Sequence, residues 1–174
     1  MFATGDYLYY ASEGVCFVAD IRTSPLKGMP EDKLYYVLRP CRSESTVYVP
    51  VDNDAVFLRK LMTTDEANQF LDAIPNLQTF DEPNAKALKT RYIEAMRMHT
   101  PTEWVRVIKT VRKRSEKLAS VSKTQKLSET ERSYAVDAKR HLFSELSLAL
   151  DVPYGEVEQF IRRHIEENLE SNPA

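Results

Sequence analysis

Ser120, Val121, Ser122 and Lys123 carry the letters of a Ser-x-x-Lys pair, in which a lysine amine activates a serine nucleophile. That chemistry needs companion motifs to hold the substrate, and the chain has none. The four residues also fall where a helix is expected to end, so the match is read as chance. His99, His141 and His164 sit on different predicted elements, without the spacing of a metal-ligating pair. Cys16 and Cys41 lie far apart, with no metal-ligand spacing around them. They are expected to be buried, reduced thiols of a cytosolic protein. The chain has only 4 glycines, too few for a loop that cradles nucleotide phosphates. No active site, metal or cofactor is expected.

Charge is more informative than any of these groups. The formal net charge of −2 over 174 residues hides a strong asymmetry. Residues 1–62 carry 7 basic and 8 acidic side chains, and residues 63–80 carry none and 3. Residues 81–140 carry 15 basic and 8 acidic side chains, a balance of +7. Residues 141–174 carry 2 and 7, a balance of −5. The central block suits phosphates, or else it is a solvated helix surface partnered by the acidic tail. The N-terminus lacks the basic-then-apolar pattern of a signal peptide. No apolar run approaches the ~18 residues a membrane span needs. A cytoplasmic location without membrane association is expected.

The elements that must position these side chains fall into two sets. Short strands are predicted over 5–10, 14–21, 34–38, 47–51 and 57–61, and together they suggest a small barrel. Period two places Val15, Phe17, Ala19 and Ile21 on one face, with Cys16, Val18 and Asp20 opposite. It sends Val47, Val49 and Val51 into a core, so Thr46, Tyr48 and Pro50 face outward. Pro50 has no N–H for a ladder, which marks its strand as a sheet edge. That edge is either ordinary or used by a partner.

Helices follow from about residue 63. Thr63 with Glu66 starts a short one that ends near Ile74, and a second runs from Asn84 to about Met98. Thr100, Pro101 and Glu103 supply cap, first-turn proline and third-position acid for a third, which ends near Val121. Ser128 with Glu131 starts a fourth, ending near Leu150. Pro153 opens the last, which ends near Leu169. The fold class is α+β in two domains: a β-barrel over 1–62 and an all-α domain of about five helices over 63–174.

In order and spacing, several strings resemble the CarD/CdnL family of bacterial RNA-polymerase-binding regulators. In the first domain these are Phe2, Gly5-Asp6, Gly14-Val15, Lys27-Gly28, Tyr35-Tyr36-Val37-Leu38, Val47, Val49-Pro50-Val51-Asp52-Asn53 and Leu58-Arg59. In the second they are Arg91-Tyr92, Leu127-Ser128, Glu131-Arg132 and the run from Glu145 to Leu150. The same first module occurs as the polymerase-interacting domain of the transcription-repair coupling factor. The resemblance implies an SH3/Tudor-like barrel that binds the polymerase β subunit through Ser24, Thr46, Tyr48 and Pro50. It also implies a helical domain that contacts promoter DNA at the upstream edge of the bubble, largely without reading sequence. A monomer is expected.

The chain departs from the family at the places that carry contact chemistry. The positions matching Ser24 and Tyr48 are often basic in the family. The family's tryptophan wedge stands four residues before the Arg-Tyr pair, which here is Leu88. Lys89 and Arg91 flank it, and Leu88, Lys89 and Arg91 are the expected DNA-binding residues. Trp104, the single tryptophan, falls in helical register with Ile108, Val111 and Leu118 and reads as core. These departures, with the acidic tail, leave a second reading open: a protein-interaction adaptor on the polymerase that does not touch DNA.

Overall fold

A computed structural model describes the chain except for residues 24, 25, 29, 31, 123–125 and 172–174. It divides into two compact units, Met1–Thr63 and Thr64–Ala174. The first holds β1 (Tyr7–Tyr10), β2 (Gly14–Thr23), β3 (Leu34–Pro40), β4 (Val47–Pro50) and β5 (Leu58–Lys60). Every neighbouring pair is antiparallel, in the order β4-β3-β2-β1-β5. The expected barrel is therefore corrected to an open sheet. A barrel closes only when its outermost strands pair with each other. Among the described residues β4 pairs with β3 alone and β5 with β1 alone, and the two are only 4 and 3 residues long.

A bulge in β2 decides which side chains reach the core. Val18 pairs with Leu38 and Asp20 with Val37, so Ala19 is an extra residue on its strand. Strict alternation puts Ile21 opposite Val18. The bulge shifts the phase, so Cys16 and Val18 lie in the core before it and Ile21 packs on the same cluster after it. Leu8, Tyr36, Leu38 and Val49 complete that core, and Val47 and Val51 pack against it as alternation predicts. Each fully buried aliphatic side chain contributes about 1.5–3 kcal/mol. The chain start is tied down as well: the Phe2 N–H donates to the Tyr36 hydroxyl at 3.1 Å, and the two rings meet edge-on. Gly14 opens β2 at φ +81°, a conformation L side chains rarely adopt.

The second unit holds α1 (Thr64–Ala73), α2 (Ala85–Arg97), α3 (Pro101–Val121), α4 (Glu129–Ala149) and α5 (Val157–Ser171). Asn84 caps α2 by accepting from the Ala87 N–H at 2.9 Å. Ser128 caps α4 by accepting from the Glu131 N–H at 3.1 Å. His99, at φ +52°, turns the chain out of α2 just before Pro101 opens α3. The expected capping box at Thr100 does not form, because Thr100 makes no side-chain cap. Glu103 is drawn elsewhere: it is 7 % exposed and held by Arg91 at 3.3 Å and Arg106 at 2.8 Å. Both guanidinium groups also lie over the Phe80 ring.

Trp104 is fully buried, as its register predicts, beside Val107 and Val111 on the same helix. Its indole stacks on the His141 ring with centroids 5.4 Å apart. Burial, and secondarily the charge of Arg140, push the His141 imidazole down to about 4. An unfolded chain would protonate this group near 6.5, so the unfolded state binds more protons between these values. Stability of the helical unit is therefore expected to fall as pH drops from about 6.5 to about 4. Urea unfolding across that range checks this, and His141→Asn should flatten the slope.

Candidate functional site

The backbone of β4 shows what the open edge offers. The Val51 N–H donates to the Leu34 carbonyl at 2.9 Å, and the register pairs Val49 with Tyr36 and Val47 with Leu38. In an antiparallel ladder the hydrogen-bonded residues alternate. The odd positions of β4 therefore point their N–H and C=O groups at β3. Tyr48 turns its own to the open edge, and Pro50 turns its carbonyl there, while Thr46 precedes the strand. Pro50 thus stands where a missing N–H costs the sheet nothing. Thr46 is exposed, while Tyr48 and Pro50 are half-buried. The Tyr48 and Pro50 side chains share a sheet face with Tyr35 and Val37, opposite the valines. Tyr35 and Val37 are buried, so this face is less open than the expected outward one. Ser24, the fourth expected polymerase-facing residue, lies outside the described residues.

The three expected DNA-binding residues sit close together on α2 but have different surroundings. Leu88 is 6 % exposed and buried in the helical unit. It forms part of the wall of a cleft of about 250 Å³, with Tyr92, Arg114 and Glu131. A side chain so placed reaches DNA only by leaving that packing. Arg91 is half-buried and committed to Glu103, Glu94 and the Phe80 ring. Lys89 alone is exposed. Lys86 and Arg97 are exposed as well, and among the described residues neither forms an ion pair. At about 100° per residue, positions 86, 89 and 97 share one face of α2. Sequence reading centred on the Arg-Tyr pair missed Lys86 and Arg97. For Lys86 a signal exists, since α2 holds no acidic residue three or four positions from it. For Arg97 there is none: Glu94 stands three positions back, and only the structure shows it paired with Arg91.

The polar triad behind this face is structural. Glu131 accepts from the Arg114 guanidinium and from the Tyr92 hydroxyl at 3.2 Å. Burial, with the Glu131 charge next, raises the Tyr92 phenol well above its ordinary range. Burial likewise pushes the Cys16 thiol up to about 12, with smaller contributions from Cys41 and Glu13. A thiol so raised is protonated and unreactive at neutral pH. Cys41 is exposed, against the expectation that both thiols are buried, and partial desolvation raises its thiol too. Lys123, of the Ser-x-x-Lys string, lies outside the described residues. Among the described residues no group of acidic, histidine or cysteine side chains could hold a metal ion. Nor is any helix among them long and apolar enough to cross a membrane.

A family model described as CarD-like/TRCF RID domain matches residues 2–62. The N-terminal unit belongs to that family. No curated protein matches the chain. The match coincides with the five-stranded unit and stops at the start of the helices. Interaction with RNA polymerase is the general property of the RID family. Of the two outer strands of this RID domain, β4 and β5, β4 is the one on which Tyr48 and Pro50 lie, with Thr46 just before it.

Proposed function

We propose that the chain is a non-catalytic cytoplasmic transcription regulator, whose RID domain binds the RNA polymerase β subunit through β4. The single observation that carries this is the alternation along β4, which turns the Tyr48 backbone toward an edge unpaired among the described residues, in a domain of a polymerase-binding family. Addition of a strand at such an edge takes its affinity from main-chain hydrogen bonds and its selectivity from neighbouring side chains. It does not require the basic residues found in relatives at positions 24 and 48.

The helical unit, on this reading, approaches promoter DNA. Its contact is the exposed face of Lys86, Lys89 and Arg97 on α2. Phosphate contacts of this kind position a protein without reading sequence. Leu88 supports that face from behind, and Arg91 holds α2 to α3 through Glu103. Such contacts favour the open complex only if that state offers them more phosphate than the closed one does.

Fluorescence anisotropy with a forked promoter duplex, at several salt concentrations, tests the DNA arm. Replacing Lys86, Lys89 and Arg97 together by alanine is expected to weaken binding to all sequences alike. It should also reduce the salt slope by about one unit for each phosphate that is no longer neutralised. The adaptor reading is favoured by the burial of Leu88 and the internal pairing of Arg91. It predicts no salt-dependent DNA binding by the unmodified chain.

A further inference from the structure

A groove of about 460 Å³ runs between α3, α4 and α5, away from the exposed face of α2. Its floor and walls are apolar: Val105, Ile108 and Val111 from α3, Leu142 and Phe143 from α4, and Ile161 from α5. Ala135 and Ser115 are the small residues that leave the space open. Ile108 and Ile161 stay half-buried, although both belong to the apolar stripes of their helices.

The rim is charged, and unequally so. Lys109, Arg112, Arg132, Lys139 and Arg162 face two carboxylates, Glu116 and Glu158. Lys139 and Arg162 share Glu158, at 3.0 and 3.1 Å. Arg112 pairs with Glu116, and Arg132 with Glu129 outside the rim. Lys109 turns to the carbonyls of Ile74, Pro75 and Leu77 and meets no carboxylate there. Counting Glu129 with the rim still leaves two cations in excess.

These cations come from all three helices. Along α4 alone, Arg132 and Lys139 stand seven residues apart, about 10 Å at 1.5 Å per residue. An anionic amphiphile with a single head would need its cations gathered at one mouth. Charges spread over two helical turns match carboxylates repeated along a second helix. Helix-in-groove recognition uses apolar anchors at i, i+3 or i+4, and i+7, and complementary charge on the flanks sets partner choice.

We propose that this groove docks an acidic amphipathic helix of a partner protein. Its apolar face would lie over Ile108 and Ile161, and its Asp and Glu side chains would meet Arg112, Arg132 and Lys139. The inference does not rest on the polymerase or DNA readings, because it uses a different face of the helical unit.

The test is selection from an unbiased display library of 16-residue peptides on the full chain, followed by anisotropy with the enriched peptides. Selected sequences are expected to share apolar residues at i, i+3 or i+4, and i+7, with Asp or Glu on both flanks. Ala135→Trp fills the groove and should weaken them at least about tenfold. The double variant Arg112→Glu/Arg132→Glu changes only exposed side chains. It sets Glu beside Glu116 and Glu129, so it should still melt cooperatively but slightly below the wild type, and it should bind peptides with Lys flanks better than those with Glu flanks. Enrichment of basic or uncharged flanks would overturn the proposal, as would peptides that bind both variants like the wild type. Failure of any peptide to enrich, with dodecanoate bound and displaced by Ala135→Trp, would also overturn it and give the groove to a small amphiphile.

Discussion

Trp104→Ala is expected to lower the stability of the helical unit by roughly 3–5 kcal/mol, the range for truncating a large buried aromatic side chain. The indole is fully buried, and its stacking on His141 joins α3 to α4. A domain's net stability is about 5–15 kcal/mol, so this one change removes a large share of it. Urea unfolding monitored by circular dichroism measures the loss. The wild-type emission should be blue-shifted and poorly quenched by iodide. A red-shifted, readily quenched tryptophan would place this side chain in water and contradict its packing between α3 and α4.

Glu103→Ala is expected to cost about 3 kcal/mol, because it strands two guanidinium groups that now share a nearly buried carboxylate. Arg91 and Arg106 reach Glu103 from α2 and α3, and the Arg106 Nε also donates to the Gln78 carbonyl at 3.0 Å. One carboxylate thus ties α2, the first turn of α3 and the segment before α2 together. Arg91→Ala should cost less, since Arg106 still neutralises Glu103. It should also leave the salt slope of DNA binding unchanged, which separates a structural Arg91 from a phosphate-binding one. A neutral Glu103→Ala, in the same urea assay, would show that the cluster is decoration on an independently stable core.

Much of this architecture is legible from local chemistry. Asn84, Pro101 and Ser128 mark helix starts because their side chains or ring suit the first turn wherever the chain goes next. Pro50 marks an edge strand for the same local reason. What escapes is set by distant residues. The bulge at Ala19 depends on how β2 registers with β3, and it redirects Ile21 into the core without any turn residue to announce it. Closure of the sheet depends on whether β4 and β5 can meet, which strand patterns do not report. Glu103 has the spacing of a capping acid, yet two arginines draw it away. The candidate site divides along the same line. The edge position of Pro50 is readable from its missing N–H, whereas the half-burial of Tyr48 and Pro50 depends on what packs over Tyr35 and Val37. The burial of Leu88 and the pairing of Arg91 depend on neighbouring helices, and Arg97 stands out only once Glu94 has been matched with Arg91.

If the β4 backbone takes the polymerase, rather than a particular side chain, then proline and alanine at position 48 should behave differently. Calorimetric titration of the purified β subunit with the wild-type chain, Tyr48→Ala and Tyr48→Pro separates them. Tyr48 turns its N–H to the open edge, so proline there removes no bond within the sheet and the RID domain should keep its melting profile. Tyr48→Pro is expected to weaken binding by about tenfold or more, through a lost main-chain bond and an unsatisfied partner carbonyl. Tyr48→Ala should weaken it much less. A folded Tyr48→Pro variant that binds the β subunit as tightly as the wild type would rule out strand addition at β4.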